Sequence, residues 1–218
     1  MKKSLRLLGL LLVVMLIFGM TACNQEQEGQ DDVDYSLVEK PIVTMVIKDY
    51  GTIKMKLYPD KAPQTVFNFI ALIEDGYYDG LTFHRIMEGF MVQGGDPKGD
   101  GTGGPGYCIK GEFSINGHEG NTISHKRGVV SMARKSYPND SAGSQFFIMH
   151  ADNAGLDGQY AAFGKVIEGM DVVDAMAKVP VKDDNGTLAD ASKAPVIESI
   201  SVETFGVDYP APNKLPNV

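Results

Sequence analysis

The sequence predicts an all-β domain with two helices, folded as a closed antiparallel β-barrel that is capped by a helix at each open end. Two observations favour this fold class. Many short segments alternate apolar and polar residues or are rich in β-branched and aromatic side chains, and glycine-rich turns separate them. Only two segments have helical spacing, and two helices are too few to cover both faces of a parallel sheet.

The strands are predicted in order along the chain. The first two, at 41–47 and 53–58, flank a turn that contains glycine. Within the second, Ile53, Met55 and Leu57 fall on one side, because successive side chains of a strand point to opposite faces. Further strands are predicted at 82–87, 90–93, 129–133, 145–149, 162–167 and 196–205.

Two segments are predicted to be helices that cap the barrel. In 63–74 the apolar residues recur at helical spacing, with a proline at the first position and a glycine shortly after the last. The second helix, at 170–178, carries Val172, Val173 and Met176 as its apolar residues.

The first 22 residues differ from the rest. A basic start precedes an uncharged apolar run at 7–20, which is short for a membrane span and typical of a signal peptide. A transmembrane anchor is the alternative. The letters MTAC at 20–23 resemble the bacterial lipobox, which implies a lipoprotein signal peptide at 1–22 and acylation of Cys23 with chains such as palmitate. The protein is therefore expected to be extracytoplasmic and lipid-anchored to the bacterial cell membrane, since two or more chains anchor stably.

Three regions follow the predicted signal peptide. Residues 23–40 are polar and acidic and are interpreted as a lipidated linker, 41–205 as the folded domain, and 206–218 as an irregular tail with three prolines. Removing 1–22 takes away three basic and no acidic residues, so the net charge changes from −8 to −11. Such an acidic protein is not expected to bind nucleic acid. Cys108 is then the one cysteine besides the lipidated one, so no internal disulfide is expected.

The segment FHRIMEGFMVQGGD, which begins at Phe83, places polar residues among apolar ones. In a strand, Arg85 would share one face with Phe83 and Met87. A salt bridge from Arg85 to Asp96 or Glu88 is one interpretation, because buried arginines are usually paired. A chemical role for this arginine is the other.

Two further patterns are interpreted as structural. A G-x-G-x-x-G match at 99–104 lacks the flanking strand and helix of a nucleotide site, so it predicts a surface loop. Four residues, Glu112, His118, Glu119 and His125, lack the helical spacing of a metal site and are interpreted as solvated side chains. No metal and no cofactor are therefore expected.

A set of longer motifs spans about 42–205 in one order. The motifs are FHRI at 83–86, GFM at 89–91, QGGD at 93–96, GTGG at 101–104, SMA at 131–133, GSQFFI at 143–148 and FGKV at 163–166. In these motifs the chain resembles the cyclophilins. The resemblance implies an eight-stranded antiparallel barrel with two helices and peptidyl-prolyl cis–trans isomerase activity. It also implies proline-containing peptides and unfolded exported proteins as substrates.

The resemblance also implies the residues of the active site. Arg85 is the implied catalytic residue, which would donate a hydrogen bond to the twisted prolyl amide. The implied substrate-binding residues are Phe90, Met91, Gln93, Gly101, Thr102, Ala133, Arg134, Gln145, Phe147, Leu156 and Tyr160. Gly101 and Thr102 are expected beside an adjoining pocket that receives residues before the proline.

Three positions depart from residues that are common in the family. Gly155 stands where members often carry tryptophan, Arg134 where they often carry asparagine, and Tyr160 where they often carry histidine. Because cyclosporin uses that tryptophan, weak cyclosporin binding is expected. Arg134 adds a charge at the edge of the groove, which is expected to alter sequence preference.

The expected function is assistance to the folding of exported proteins, by a monomeric enzyme at the outer face of the membrane. The alternative is a proline-peptide binding module, or a surface adhesin, with incidental isomerase activity. Within the tail, Ala211-Pro212 resembles a cyclophilin substrate, which predicts docking in the groove of a neighbouring copy.

Overall fold

Antiparallel strands dominate the computed structural model, which describes residues 33–218. The strands are β1 (Ile42–Ile47), β2 (Gly51–Leu57), β3 (Thr82–Met87), β4 (Met91–Asp96), β5 (Tyr107–Cys108), β6 (Val129–Met132), β7 (Phe146–Met149), β8 (Ala162–Glu168), β9 (Ile197–Glu203) and β10 (Leu215–Pro216). Eight of them form one sheet in the order β3-β4-β7-β6-β8-β2-β1-β9, and β5 pairs with β10. Each strand predicted from sequence is present, with some ends displaced by a few residues. Strands β5 and β10 have no counterpart in the sequence prediction.

Alternation along the strands builds the core. The fully buried residues of the first two strands are Val43, Met45 and Ile47 in β1 and Ile53, Met55 and Leu57 in β2. Their neighbours in sequence are more exposed, as expected for a sheet with one buried face. The ring of Phe69 packs edge-on against Phe146 and Phe163, with centroid distances of 5.3 and 5.0 Å. The sheet therefore curves around an aromatic centre.

The two edge strands of the sheet, β3 and β9, meet only near one end. An isolated bridge joins Thr82 to Val196, and the Phe83 N–H donates to the Pro195 carbonyl at 2.9 Å. No continuous ladder joins the two strands along the rest of their length in the described residues. The eight-stranded antiparallel sheet is thus an open half-barrel, and the predicted closed barrel with a helix at each end is not confirmed.

Two α-helices accompany the sheet, α1 (Pro63–Glu74) and α2 (Met170–Met176). Helix α1 has the predicted bounds and buries its apolar face, with the proline at its first turn. Helix α2 is shorter than predicted. Its last turn closes at Ala177, and Pro180 follows shortly after, which disfavours helical backbone in the residue before it.

A distant carboxylate caps helix α1. The residue before the helix, Ala62, has no side chain that could accept a hydrogen bond. Glu112 supplies the acceptors instead: its carboxylate accepts from the Gln64 N–H at 3.0 Å, the Thr65 N–H at 2.8 Å and the Thr65 hydroxyl at 2.7 Å. Glu112 is only 3% exposed, so its interpretation as a solvated side chain is wrong. It stabilises the positive end of α1.

The segments outside the sheet pack on the domain where the structure describes them. Tyr35 stacks on Tyr209 at a ring distance of 5.5 Å, and both rings contact Phe67 of α1. Residues from Tyr35 onward belong to one compact unit. The tail is not wholly irregular, because β10 pairs with β5, and Pro212 is buried within its own chain.

The predicted signal peptide and the acylated Cys23 lie outside the described residues. Within 33–218, none of the helices is long and apolar enough to span a membrane.

The cap on α1 generates a stability prediction. Glu112→Gln replaces a carboxylate that accepts three hydrogen bonds with an amide that cannot accept them all. We expect the free energy of unfolding to fall by about 2 kcal/mol, because buried donors lose their partner. Urea denaturation monitored by circular dichroism measures it. Glu119→Gln is the matched control, since Glu119 is exposed in the same loop. Equal effects of the two substitutions would contradict the capping role.

Candidate active site

Arg85 is held by three uncharged acceptors. Its Nε donates to the Asn185 carbonyl at 2.7 Å, one terminal nitrogen donates to Gln93 Oε1 at 3.1 Å, and the other lies 3.2 Å from Met87 Sδ. Arg85 and Gln93 face each other in the register of β3 and β4. The guanidinium plane is therefore fixed at the edge of the sheet.

A β-bulge gives Arg85 this position. The register between β3 and β4 shifts between Phe83 and Arg85, so one extra residue interrupts the alternation. Phe83 and Ile86 are both buried in the core, whereas His84 and Arg85 are both half-buried beside the same cavity. The prediction that Arg85 shares a face with Phe83 is therefore wrong, because strict alternation does not continue through a bulge.

The salt-bridge interpretation of Arg85 does not hold. The carboxylate of Glu88 pairs with Lys178. The Asp96 side chain accepts from the backbone N–H groups of Lys98, Asp100 and Gly101, so it orders the glycine-rich loop. Arg85 itself donates to neutral groups, as described above.

A cavity of about 450 Å³ lies beside the guanidinium and is called the first cavity. Its lining residues are His84, Arg85, Phe90, Met91, Gln93, Gly99, Asp100, Gly101, Ala133, Arg134, Phe147, Leu156, Tyr160, Asn185 and Thr187. One wall is apolar, and Phe147 meets the Tyr160 ring edge-on at 5.7 Å. The opposite side carries the donors of Arg85. A small apolar ring can thus lie within reach of a fixed cation.

A second cavity of about 280 Å³ adjoins the first. It is lined by Gln93, Gly101, Thr102, Gly103, Gly104, Pro105, Tyr107, Cys108, Ala133, Arg134, Lys135, Ser141, Gly143, Ser144, Gln145 and Asn217. Gln145 connects the two, because it accepts from Gln93 Nε2 at 2.9 Å and donates to the carbonyls of Gly101 and Gly103 at 3.0 and 2.9 Å. All twelve residues predicted for the active site line one or both cavities.

A comparison with protein families decides what this arrangement is. The family described as cyclophilin type peptidyl-prolyl cis-trans isomerase matches residues 42–202. The chain belongs to the cyclophilin family. It is therefore a peptidyl-prolyl cis–trans isomerase.

Relatives and solved structures agree. The chain is 47% identical over 132 residues to peptidyl-prolyl cis-trans isomerase B of Bacillus subtilis, covering 61% of this chain and 87% of that protein. It is 46% identical over 126 residues to a peptidyl-prolyl cis-trans isomerase of Helicobacter pylori, covering 57% and 73%. A Cryptosporidium parvum cyclophilin type isomerase, crystallised in the presence of the dipeptide Ala-Pro, superposes with a TM-score of 0.64 at 31% identity. That match covers 74% of this chain and 98% of the other.

Sequence reasoning missed one wall of this cyclophilin site. Asn185 and Thr187 come from a loop that pairs with β3 through an isolated bridge between Arg85 and Thr187. The loop approaches closely at Gly186, whose φ is +81° and where a Cβ would lie 2.4 Å from the Ile86 carbonyl oxygen. The dipeptide Asn185-Gly186 is a turn signal in the sequence, but nothing in it indicates which strand it meets.

His84 was also missed as a lining residue of the cyclophilin site. Its two ring nitrogens are buried and have no hydrogen-bond partner among the described residues. Burial lowers the pKa of His84, and the nearby Asp96 opposes this shift only in part. Burial therefore favours the neutral form of this ring at the edge of the first cavity.

Arg134, a departure from the family pattern, lies between two aromatic rings. Its guanidinium carbon is 5.0 Å from the centroid of Phe113 and 4.8 Å from that of Tyr160. Its Nε donates to the Gln159 carbonyl at 2.9 Å. Arg134 therefore fixes Tyr160, which walls the first cavity.

A buried histidine packs against Phe147, which contacts Tyr160 in the apolar wall of the first cavity. His125 is fully buried, so its interpretation as a solvated side chain is wrong. Its Nδ1 lies 3.0 Å from Asp157, its Nε2 lies 3.1 Å from the Ser131 hydroxyl, and the ring stacks on Phe147. The connectivity resembles a serine–histidine–aspartate triad, but Ser131 is fully buried and cannot reach a substrate. The three residues brace Phe147.

The His125 brace generates a pH prediction. Burial lowers the pKa of His125 below 6.5, and the bond to Asp157 opposes this only in part. The unfolded chain therefore binds a proton near pH 6.5 that the folded chain does not, so this contribution to stability is present above that pH and lost below it. We expect wild type to lose up to about 1.4 kcal/mol more per pH unit below 6.5 than His125→Gln. Urea denaturation at pH 7.5 and 5.5 measures the difference, and equal losses would contradict it.

Proposed function

We propose that Arg85 accelerates prolyl isomerisation by donating a hydrogen bond to the twisted amide. Amide resonance sets a barrier of ~18–20 kcal/mol, and uncatalysed exchange takes tens to hundreds of seconds. In the twisted transition state resonance is lost, and the proline nitrogen becomes pyramidal and basic. A donor aimed at that nitrogen binds the twisted state more strongly than the planar one, which is the condition for catalysis.

The observation that carries this proposal is the fixed guanidinium beside an apolar cavity. Its Nε and one terminal nitrogen are held by Asn185 and Gln93, so the plane cannot turn away as a substrate twists. Arginine suits the task because it stays charged and its donors form a rigid fork. The reaction neither makes nor breaks a covalent bond, so the proposal requires no cofactor and no metal.

The remaining predicted residues would bind the peptide. We place the proline ring against the apolar wall, which consists of Phe90, Met91, Phe147, Leu156 and Tyr160. Gln93 would orient Arg85 and lie beside the substrate. The Ala133 N–H already donates to the Gln145 carbonyl at 2.9 Å, so a peptide crossing this point would use carbonyl groups of the groove.

The Arg85 proposal is tested by two substitutions. We expect Arg85→Ala to lower kcat/KM by about 10²–10³-fold, the size of one lost preorganised donor. Arg85→Lys keeps the charge but loses the planar fork, so we expect it to remain at least about tenfold below wild type. NMR exchange on an Ala-Pro peptide measures the rates. Arg127→Ala is the control, because Arg127 is exposed and pairs with Asp174 instead of lining either cavity.

Two experiments test the role of Arg85 and the alternative function separately. Wild-type exchange that Arg85→Ala leaves unchanged would reject the catalytic role of Arg85. The alternative of a binding module with incidental activity predicts that an Arg85 variant which still binds peptide restores the function of the protein in a deletion strain. Failure of that variant to do so supports the enzyme.

We further propose that the enzyme acts on unfolded exported proteins as a monomer at the outer face of the bacterial membrane, tethered by acylated Cys23. The basic start, the uncharged apolar run at 7–20 and the lipobox-like 20–23 support this placement. A catalyst that consumes no nucleotide suits a compartment without ATP.

The anchor is tested by Cys23→Ala. We expect wild type in the detergent phase of a membrane extract, and the variant in the aqueous or secreted fraction, since the acyl chains supply the membrane affinity. Mass spectrometry of the N-terminal peptide of wild type then identifies the acyl chains. A variant that stays in the membrane would support the transmembrane alternative instead.

We also propose that cyclosporin binds this cyclophilin weakly. The position where relatives often carry tryptophan is Gly155, which lies in a short 3₁₀ helix and donates its N–H to Asn153 Oδ1 at 3.0 Å. The chain contains no tryptophan that could substitute for the missing ring.

A further inference from the structure

The C-terminal tail of this chain reaches the second cavity. After β9, residues 206–218 cross the surface, and β10 pairs with β5 in antiparallel register, with Leu215 opposite Cys108 and Pro216 opposite Tyr107. Further contacts fix the approach. The Asn213 N–H donates to Gln64 Oε1 at 2.7 Å, and the Lys214 ammonium lies 4.4 Å from the centre of the Tyr107 ring.

The segment that follows reaches the second cavity. Asn217 is one of the lining residues of this cavity, and its Oδ1 lies 3.8 Å from the Cys108 thiol. Lys135, which lines the same cavity, donates to the Val218 carbonyl. The segment Leu215–Val218, called the tail wall, thus contributes Asn217 to the lining of the second cavity.

The two cavities share four lining residues, Gln93, Gly101, Ala133 and Arg134. An extended peptide advances about 3.3 Å per residue, so a peptide whose proline occupies the first cavity places a flanking side chain at the second. The lining of the second cavity is polar, with Thr102, Ser141, Gln145 and Asn217 among its members. Such a site suits a small polar side chain better than a large aromatic one.

We propose that the tail wall determines which residues a substrate can carry near its proline, either two positions before it or directly after it. Building on the proposed isomerase function, the inference assigns Asn217 as a specificity-determining residue that is contributed from outside the eight-stranded sheet. Pairing of β10 with β5 holds Asn217 in place, and its side chain limits the outward extent of the second cavity. Small polar flanking residues fit, and bulky ones collide with the tail wall.

Point variants of two asparagines in the tail test this inference. Asn217 and Asn213 are both exposed, so tryptophan is tolerated at either position, but only Asn217 lines the second cavity. The substrates are peptides with Gly, Ser or Phe in the Xaa position of Xaa-Ala-Pro-Ala and of Ala-Ala-Pro-Xaa. The readout is kcat/KM relative to the glycine peptide. We expect Asn217→Trp to lower the Ser-to-Gly ratio by about tenfold, and Asn213→Trp to leave it unchanged.

Deletion of residues 215–218 tests the inference in the opposite direction. Because the outer wall is removed, we expect the Phe-to-Gly ratio to rise about tenfold. An equal increase in kcat/KM for all peptides would show that the tail obstructs every substrate alike, and it would overturn the inference. Ratios that stay within about twofold of wild type, in the deletion and in Asn217→Trp alike, would also overturn it.

Failure of the proposed function has a different signature. Wild-type protein that accelerates none of these peptides above background would reject the isomerase function. The tail wall is then tested by calorimetry, which measures the affinities of the same peptides. We expect the Ser-to-Gly and Phe-to-Gly ratios of affinity to change as described for kcat/KM. If the deletion variant does not fold, the comparison of Asn217→Trp with Asn213→Trp decides.

Discussion

The proposed role of Arg85 requires that this arginine be held in place without being paired to a carboxylate. Arg85 donates to a backbone carbonyl, a side-chain amide and a thioether, none of which is charged. A carboxylate would bind the guanidinium more strongly, but it would compete with a weakly basic proline nitrogen for the same donors. The bulge in β3, the pairing of Arg85 with Gln93 and the close approach of Gly186 all serve this requirement. The acidic groups that sequence reasoning had offered as partners, Glu88 and Asp96, are bound elsewhere.

The same requirement explains the polar network around the groove. Gln93 can hold Arg85 with its oxygen only if its nitrogen has an acceptor, and Gln145 supplies one. Gln145 in turn donates to the carbonyls of Gly101 and Gly103 in the glycine-rich loop. The backbone N–H groups of that loop donate to the Asp96 carboxylate, which holds the loop in place. Amide orientation is therefore set along the whole series, because reversing one amide would leave two donors or two acceptors facing each other. The glycine-rich loop, Gln145, Gln93 and Arg85 therefore belong to one hydrogen-bonded network. Asn217 of the tail wall lines the second cavity together with Gln93 and Gln145.

Most of the sheet and both helices could be predicted because each is encoded by local periodicity. Twelve residues that line the two cavities could be predicted from the family resemblance, because the motifs that carry most of them are long and ordered. What could not be predicted are contacts between distant segments: Glu112 caps a helix 47 residues away, and His125 bonds Asp157 across 32. Both are polar residues in segments that have the composition of a solvated loop, and only the fold shows that they are buried. The bulge at Arg85 could not be predicted for a related reason: one extra residue interrupts the alternation of a strand, and no sequence pattern marks where it is inserted.

Charge is distributed so that the groove differs from the rest of the chain. The net charge is −8, yet Arg85, Arg134 and Lys135 all line the two cavities. These cations make the electrostatic potential of the groove more positive than that of the rest of the chain, although Asp100 also lines the first cavity. Arg134 adds to this field without becoming mobile, because it is stacked between Phe113 and Tyr160. Arg134 therefore adds positive charge to the groove while it holds Tyr160, a lining residue of the first cavity, in place.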